Sequence, residues 1–185
     1  TYAWNSWHKS LSTDYYVAIN ATSAQDNSVN IWPTAGITDS VITTTSATVK
    51  YNNLSGETHI AYIWHDVPGL QKFGSFEGNG SANGPFVELG FKPAVVILKN
   101  IDNYGTGYDW FMFDNQRDEN NPCSNVLLSN SADNASSSNS IDFLSNGFKI
   151  RASTNGINLA AHTIIYMAWA EAPAVNLFGG GANAR

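Results

Sequence analysis

The chain has little of several things, and each shortage excludes a class of protein. A single cysteine, Cys123, rules out both an intrachain disulfide framework and a zinc site built on several thiolates. Only 13% of the residues are charged, the net charge is −6, and the nine lysines and arginines are scattered. Nucleic acid is therefore not an expected partner, because it needs a basic stripe. No apolar run approaches the roughly 18 residues of a membrane span, so membrane insertion is not expected.

Long helix-forming windows are missing as well. Serine, threonine and asparagine together supply 54 of the 185 residues. These residue types are poor helix formers and favour turns and strand edges. The 43% of hydrophobic residues is enough for a proper core. The composition predicts an all-β protein in which helix is confined to short turns.

A glycine-rich stretch, KFGSFEGNGSANGPFVELGFKP, runs from Lys72 to Pro93. A phosphate-binding loop would open directly into a helix, and no helical pattern follows these glycines. The residues around them are instead apolar and β-branched in short runs. We predict strands near 73–77, 86–89 and 94–99, joined by Gly-Asn-Gly and Asn-Gly turns that supply positive φ.

The sequence also repeats itself at a distance of about 105 residues. THIAYIWHDVPGLQKFG at 58–74 aligns with TIIYMAWAEAPAVNLFG at 163–179. The identical pairs are Thr58 and Thr163, Ile60 and Ile165, Trp64 and Trp169, Pro68 and Pro173, Phe73 and Phe178, and Gly74 and Gly179.

The repeat predicts a domain organisation. A partial copy at 1–68, a near-complete copy at 69–173 and a tail at 174–185 would form one β-sandwich with pseudo-two-fold symmetry, or else two small β-domains in tandem. We favour the single sandwich, because each copy alone has few strands for its aromatic residues. YAW at 2–4 also resembles YDW at 108–110, so that Trp4 matches Trp110 as Trp64 matches Trp169. All four tryptophans are expected in the core.

Several motifs together resemble the carboxy-terminal domain of bacteriophage tail-fibre proteins, especially those of phages of marine bacteria and cyanobacteria. The motifs are HDVPGLQKFGSFEGNGSANGPFVELGFKPAVVILKN, RDENNP, IDFLSNGFKI, YMAWAEAP and the terminal ANAR. The resemblance covers nearly the whole chain. It implies a place in the virion tail fibre, assembly in the host cytoplasm, a role in host attachment and a homotrimer. It implies no functional residues. Because the chain begins at Thr1 without methionine, we expect it to be part of a longer polypeptide.

Loops rich in serine, threonine and asparagine suit a carbohydrate ligand, since sugars are bound by amide and hydroxyl hydrogen bonds and by aromatic stacking. We therefore predict that the domain binds a host cell-surface glycan without cleaving it. The stacking candidates are tyrosines without a repeat-matched partner: Tyr104, Tyr15, Tyr16 and Tyr51. Two alternatives remain open, a polysaccharide-degrading tailspike domain and a structural or assembly module of the tail.

An enzyme that hydrolyses polysaccharide would need two carboxylates about 5 to 10 Å apart. The candidates lie around YDWFMFDNQRDENNP, namely Asp109, Asp114, Asp118 and Glu119, with Asp66 and Glu171 as candidates outside this stretch. Aspartate and asparagine in such a loop more commonly cap turns, so we predict no catalytic residues and no enzyme. Calcium is the one cofactor that the sequence leaves open, although the spacing is not that of an EF-hand. Its ligands would be Asp114, Asn115, Asp118 and Asn120.

Overall fold

The computed structural model describes residues 3–27, 31–32, 37–44, 56, 58–102, 108–133, 140–153 and 155–171. Within these ranges the chain forms eleven strands and one four-residue helix, as the composition predicts. The elements are β1 (Asn5–Ser6), β2 (Tyr15–Ala18), β3 (Asp26–Asn27), β4 (Gln71–Glu77), β5 (Phe86–Glu88), β6 (Pro93–Asn100), β7 (Phe111–Asp114), β8 (Leu127–Leu128), β9 (Ile141–Leu144), β10 (Gly147–Ile150), α1 (Asn155–Asn158) and β11 (Thr163–Ala170). None of the described helical structure is long or apolar enough to span a bilayer.

The strands form three antiparallel sheets. The N-terminal sheet has the order β1-β2-β3, the second sheet β5-β10-β9, and the large sheet β4-β11-β6-β7-β8. In the large sheet β11 lies between β4 and β6 and pairs with both along most of its length. The three strands predicted in and after the glycine-rich stretch are confirmed as β4, β5 and β6.

The second sheet and the large sheet contribute to one buried cluster. Val87 and Phe148 of the second sheet belong to it, as do Phe113 and Ile164 of the large sheet. The ring of Phe148 meets that of Tyr166 edge-on, with centroids 5.7 Å apart. Shared burial of this kind is the main stabilising contribution to the fold, at roughly 25 cal/mol for each Å² of apolar surface removed from water.

Between β4 and β5 the glycine-rich stretch forms a loop packed against α1. Gly80 has a φ of +67°, which only glycine adopts without strain. At Gly84 a side chain would have no room, because a Cβ there would lie 2.7 Å from the Cβ of Ile150. The fully buried Asn158 accepts a hydrogen bond from the Asn79 N–H at 2.9 Å. This bond ties the loop to α1. These glycines therefore serve close packing at a turn.

The N-terminal sheet is attached to the large sheet through a second buried cluster. Val17 packs there with Trp110 and Ile165. The Trp110 indole N–H donates to the Ala18 carbonyl at 3.0 Å. Lys99, which is fully buried, donates from Nζ to the carbonyl oxygens of Thr22 and Tyr108. Burial, opposed by the charge of Asp109, lowers the pKa of Lys99 to about 8.

The structure does not show the predicted internal repeat. Residues 163–170 form β11, which lies between β4 and β6, whereas residues 58–66, their partners in the alignment, form no strand. The prediction that the matched tryptophans are buried holds for Trp110, which is 2% exposed, and is wrong for Trp4 and Trp64, which are 59% and 53% exposed. Trp169 is half-buried and meets Phe73 edge-on. A matching sequence places similar side chains in two segments but does not provide both with a neighbouring sheet.

Candidate functional site

The most unusual surface of the described chain is the segment 58–66, THIAYIWHD, which we call the aromatic segment. Every residue in it is exposed. Its large apolar side chains are more than half exposed: Ile60 at 74%, Tyr62 at 62%, Ile63 at 69% and Trp64 at 53%. Single exposed apolar residues are ordinary, whereas a contiguous group of them is a candidate binding surface.

Tyr62 and Trp64 form a stacked pair within this segment. Their ring centroids are 6.1 Å apart and the ring planes differ by 21°. Residues two apart in an extended chain point to the same side, which brings the two rings together. We call this stacked pair the aromatic ledge; its exposed rings carry two polar groups, the phenol hydroxyl and the indole N–H. Such a ledge is suited to the apolar C–H face and the hydroxyl rim of a sugar ring.

Asp66 fixes the end of the aromatic segment. Its carboxylate forms an ion pair with Lys9 and accepts a hydrogen bond from the Phe73 N–H at 2.9 Å. Partial burial raises the pKa of Asp66, but the Lys9 and Phe73 hydrogen bonds and the lysine charges outweigh it and hold that pKa below its usual value. The Gln71 side-chain amide donates to the His65 carbonyl at 2.7 Å. The segment is thus tied down at its C-terminal end.

An open pocket of about 260 Å³ begins where the aromatic segment ends. Its lining combines ionic and amide groups with an apolar floor, and consists of Asp66, Val67, Pro68, Gln71, Lys72, Leu89 and Phe91. The Lys72 ammonium is held by the Glu88 carbonyl at 2.8 Å. The pocket therefore places ionic and amide groups at the C-terminal end of the aromatic segment, and its lining does not include Tyr62 or Trp64.

The predicted tyrosines do not form a site in the described structure. Tyr104 and Tyr51 lie outside the described residues. Tyr15 and Tyr16 are consecutive in β2, so their rings point to opposite faces of the strand. Tyr15 packs against the second buried cluster, and the Tyr16 hydroxyl donates to Asp26 at 3.3 Å. Both rings are half-buried, and they make no common surface.

Sequence reasoning missed Tyr62 and Trp64. Their segment is apolar on both faces, a pattern typical of a buried strand, and it matches β11 in the alignment. Both signals predict burial. The sequence of this segment gives no indication that the segment has no neighbouring strand to bury it.

The first predicted calcium ligand, Asp114, uses its carboxylate within its own turn. One oxygen, Oδ1, accepts hydrogen bonds from the Gln116 and Arg117 N–H groups at 3.0 and 2.9 Å. The other, Oδ2, forms an ion pair with Arg117 at 2.9 Å. This is the turn-capping role that aspartate commonly has.

Asp118, the other aspartate among the predicted ligands, is similarly engaged. Its Oδ2 accepts from the N–H groups of Ser124 and Asn125 at 2.6 and 2.7 Å. Partial burial raises its pKa, but these hydrogen bonds, that of the Asn125 amide and the charge of Arg117 outweigh it, so the pKa of Asp118 is lowered. Asn115 and Asp118 share a small pocket of about 110 Å³, and Asn120 is exposed outside its lining.

Calcium at this loop stays a prediction. Within the described ranges, no group of three or more histidine, cysteine, aspartate or glutamate side chains is arranged to hold a metal ion. Asparagine amides and backbone carbonyls also bind calcium.

Comparisons with known proteins give one match. The family model described as a domain of unknown function (DUF7483) matches residues 1–173 of the chain. No curated protein and no solved structure matches the chain.

Proposed function

We propose that this chain, which belongs to the DUF7483 family, is the host-attachment domain of a bacteriophage tail fibre. We also propose that it binds a cell-surface glycan without cleaving it. The resemblance of its motifs to phage tail-fibre domains supports the location, in the virion, after assembly in the host cytoplasm. The stacked pair of Tyr62 and Trp64 carries the binding part of the proposal.

The chemistry of the ledge and its neighbouring pocket supports a sugar ligand. Exposed, nearly parallel rings bind the C–H face of a pyranose through dispersion, and the hydroxyls require donors and acceptors at the rim. The pocket supplies these in Asp66, Gln71 and Lys72. A spacer module would gain nothing from leaving four large apolar side chains in water.

The state of the carboxylates supports binding rather than hydrolysis. A glycosidase needs one carboxyl group with a raised pKa to protonate the leaving oxygen. The pKa values of Asp66 and Asp118 are both lowered by their hydrogen bonds and by neighbouring cations, although burial opposes the shift. Asp114 is engaged by Arg117.

Two further statements about architecture form part of this proposal. The buried cluster shared by the second sheet and the large sheet supports a β-sandwich, within which the sequence repeat records a duplicated unit that has diverged. In the complete fibre the chain is a homotrimer, by resemblance to other fibres of this kind.

The proposal is tested by replacing the two rings. Tyr62→Ala and Trp64→Ala should each weaken adsorption of the labelled domain to host cells or purified surface polysaccharide by about tenfold, the effect of losing about 1.4 kcal/mol. Trp4→Ala is the matched control, because Trp4 is equally exposed but belongs to no ring pair in the described structure. Adsorption of the control should stay within about twofold of the unsubstituted chain.

Two results would contradict the proposal. Release of reducing ends from the purified polysaccharide, abolished by Asp114→Asn, would make the domain an enzyme. Adsorption that is absent, or that is unchanged in both ring variants, would favour a structural module or a binding site elsewhere on the chain.

A further inference from the structure

Among the described residues, no strand pairs with the outer edge of β4 beyond the bridge at Gln71. β4 is the first strand of the large sheet and has β11 on its inner side. In an antiparallel sheet the N–H and C=O groups of alternate residues point to opposite sides of the strand. Gln71 and Phe73 donate to groups outside the sheet, Gln71 to the Val67 carbonyl and Phe73 to Asp66, so the odd-numbered residues point outward.

Ser75 and Glu77 follow Phe73 along this edge, and both are exposed. Their outward N–H and C=O groups have no hydrogen-bond partner within the described ranges. A row of unpaired backbone groups is a template for an added strand, and natural proteins usually shield it.

The chain's own aromatic segment begins to pair with this edge and then stops. Val67 and Gln71 form a bridge across a turn that contains Gly69 at a φ of +73°, which is the closing pair of a hairpin. At the next outward position the Asp66 side chain, rather than a backbone carbonyl, takes the Phe73 N–H, and Lys9 holds Asp66 there. The segment before Asp66 is thereby diverted away from its own β4.

The aromatic segment nevertheless has the sequence of a β4 partner. THIAYIWHD aligns with TIIYMAWAE at 163–171, with Thr58, Ile60 and Trp64 identical to their counterparts. The second of these sequences is β11 and the residue after it, and β11 is the strand that β4 pairs with on its inner side. Within the described ranges, the outer edge of β4 thus lacks a partner strand, and the aromatic segment, although it has the sequence of a strand, pairs with no sheet.

We propose that residues 58–64 of one copy of this chain add as a strand to the outer edge of β4 in a second copy. The added strand satisfies the outward groups of Ser75 and Glu77. On a strand Ile60 lies on the same face as Tyr62 and Trp64, and Ile63 lies on the opposite face. The exchange therefore uses the same segment as the proposed glycan site, and separate measurements of association and of adsorption distinguish the two.

The test is sedimentation of the 185-residue chain over about a hundredfold range of concentration, compared with Ser75→Pro. The chain should self-associate, and Ser75→Pro should weaken association by about tenfold or more. Proline removes an N–H that β11 does not use, and edge positions tolerate it, so the single copy should still fold. Ser75→Thr, which keeps the N–H, is the matched control and should associate like the unsubstituted chain.

A second variant tests the donated strand. Ile63→Lys places a charge on an exposed position and should weaken association as Ser75→Pro does, while Ile63→Val should not. A chain that is monomeric at every concentration, or that associates equally well with proline at Ser75, overturns the proposal. Concentration-independent protection of the Ser75 amide from hydrogen exchange would show that the chain's own segment closes on β4 instead. Glycan adsorption by monomeric Ser75→Pro would separate this result from any failure of the proposed function.

Discussion

His8 is a buried histidine whose ring is held by two neighbours. The Ser10 N–H donates to Nδ1 at 3.1 Å, so Nδ1 carries no proton, and Nε2 donates to the Tyr166 carbonyl at 3.2 Å. Burial, only partly opposed by the hydrogen bond to Tyr166, lowers the pKa of His8 from 6.5 to about 4. The neutral ring therefore belongs to the folded state.

This pKa predicts how stability responds to acid. Between pH 6.5 and about 4 the unfolded chain binds a proton at His8 that the folded chain does not, so the free energy of unfolding should fall as the pH falls through this window. The full loss is on the order of 3 kcal/mol. Urea unfolding at several pH values measures it.

His8→Gln provides the comparison, because glutamine retains a donor for the Tyr166 carbonyl but does not titrate. Its pH dependence should be flatter over the same window. His59→Gln, at an exposed histidine, is the control and should keep the slope of the unsubstituted chain. Equal slopes for all three chains would mean that His8 is not protonated differently in the two states.

At the scale of single elements, the loop from Gly78 to Gly84 depends on one side chain of α1. Asn158 is fully buried, and its amide donates to the carbonyl oxygens of Ser81 and Ala152 at 2.7 and 2.8 Å. Asn158→Ala should lower the free energy of unfolding by about 3 kcal/mol, since it leaves several buried backbone groups unpaired. Thermal or urea unfolding measures the change.

Asn83→Ala is the matched control, because Asn83 lies in the same loop with an exposed side chain. It should change the free energy of unfolding by less than about 0.5 kcal/mol. Similar losses in both variants would show that the loop is sensitive to any substitution rather than held by Asn158.

Some elements could be predicted from the sequence and others could not. The difference depends on how far apart in the sequence the contacting residues lie. β4, β5 and β6 could be located from the sequence, because apolar runs between glycine turns are local signals. The exposed state of Trp64 could not, since burial depends on whether another strand lies beside it, and that is decided far away in the chain. For the same reason the aromatic ledge was missed while the turn-capping role of Asp114 was anticipated: a turn is closed by its own neighbours.

At the scale of the whole molecule, the N-terminal sheet and the large sheet share buried contacts. Trp110 packs between them and donates to the Ala18 carbonyl. Trp110→Ala should lower the free energy of unfolding by about 3 to 5 kcal/mol, as for other large buried side chains. Hydrogen exchange should show residues 15–18 and 163–170 losing protection together, because each sheet covers part of the other.

Trp4→Ala is the control, since Trp4 is exposed, and it should leave protection unchanged in both segments. If Trp110→Ala instead exposes residues 15–18 while 163–170 stay protected, the N-terminal sheet is a separate folding unit.

The position of β11 between β4 and β6 has a consequence for folding during synthesis. β4 and β6 do not pair with each other, and both wait for a strand that is synthesised about ninety residues after β4 begins. During synthesis, β4 and β6 therefore each keep the edge that pairs with β11 exposed until β11 has left the ribosome. Chains interrupted before Thr163 should fail to complete the large sheet and should aggregate, and folding should be slow, as is usual when the decisive contacts are distant in sequence.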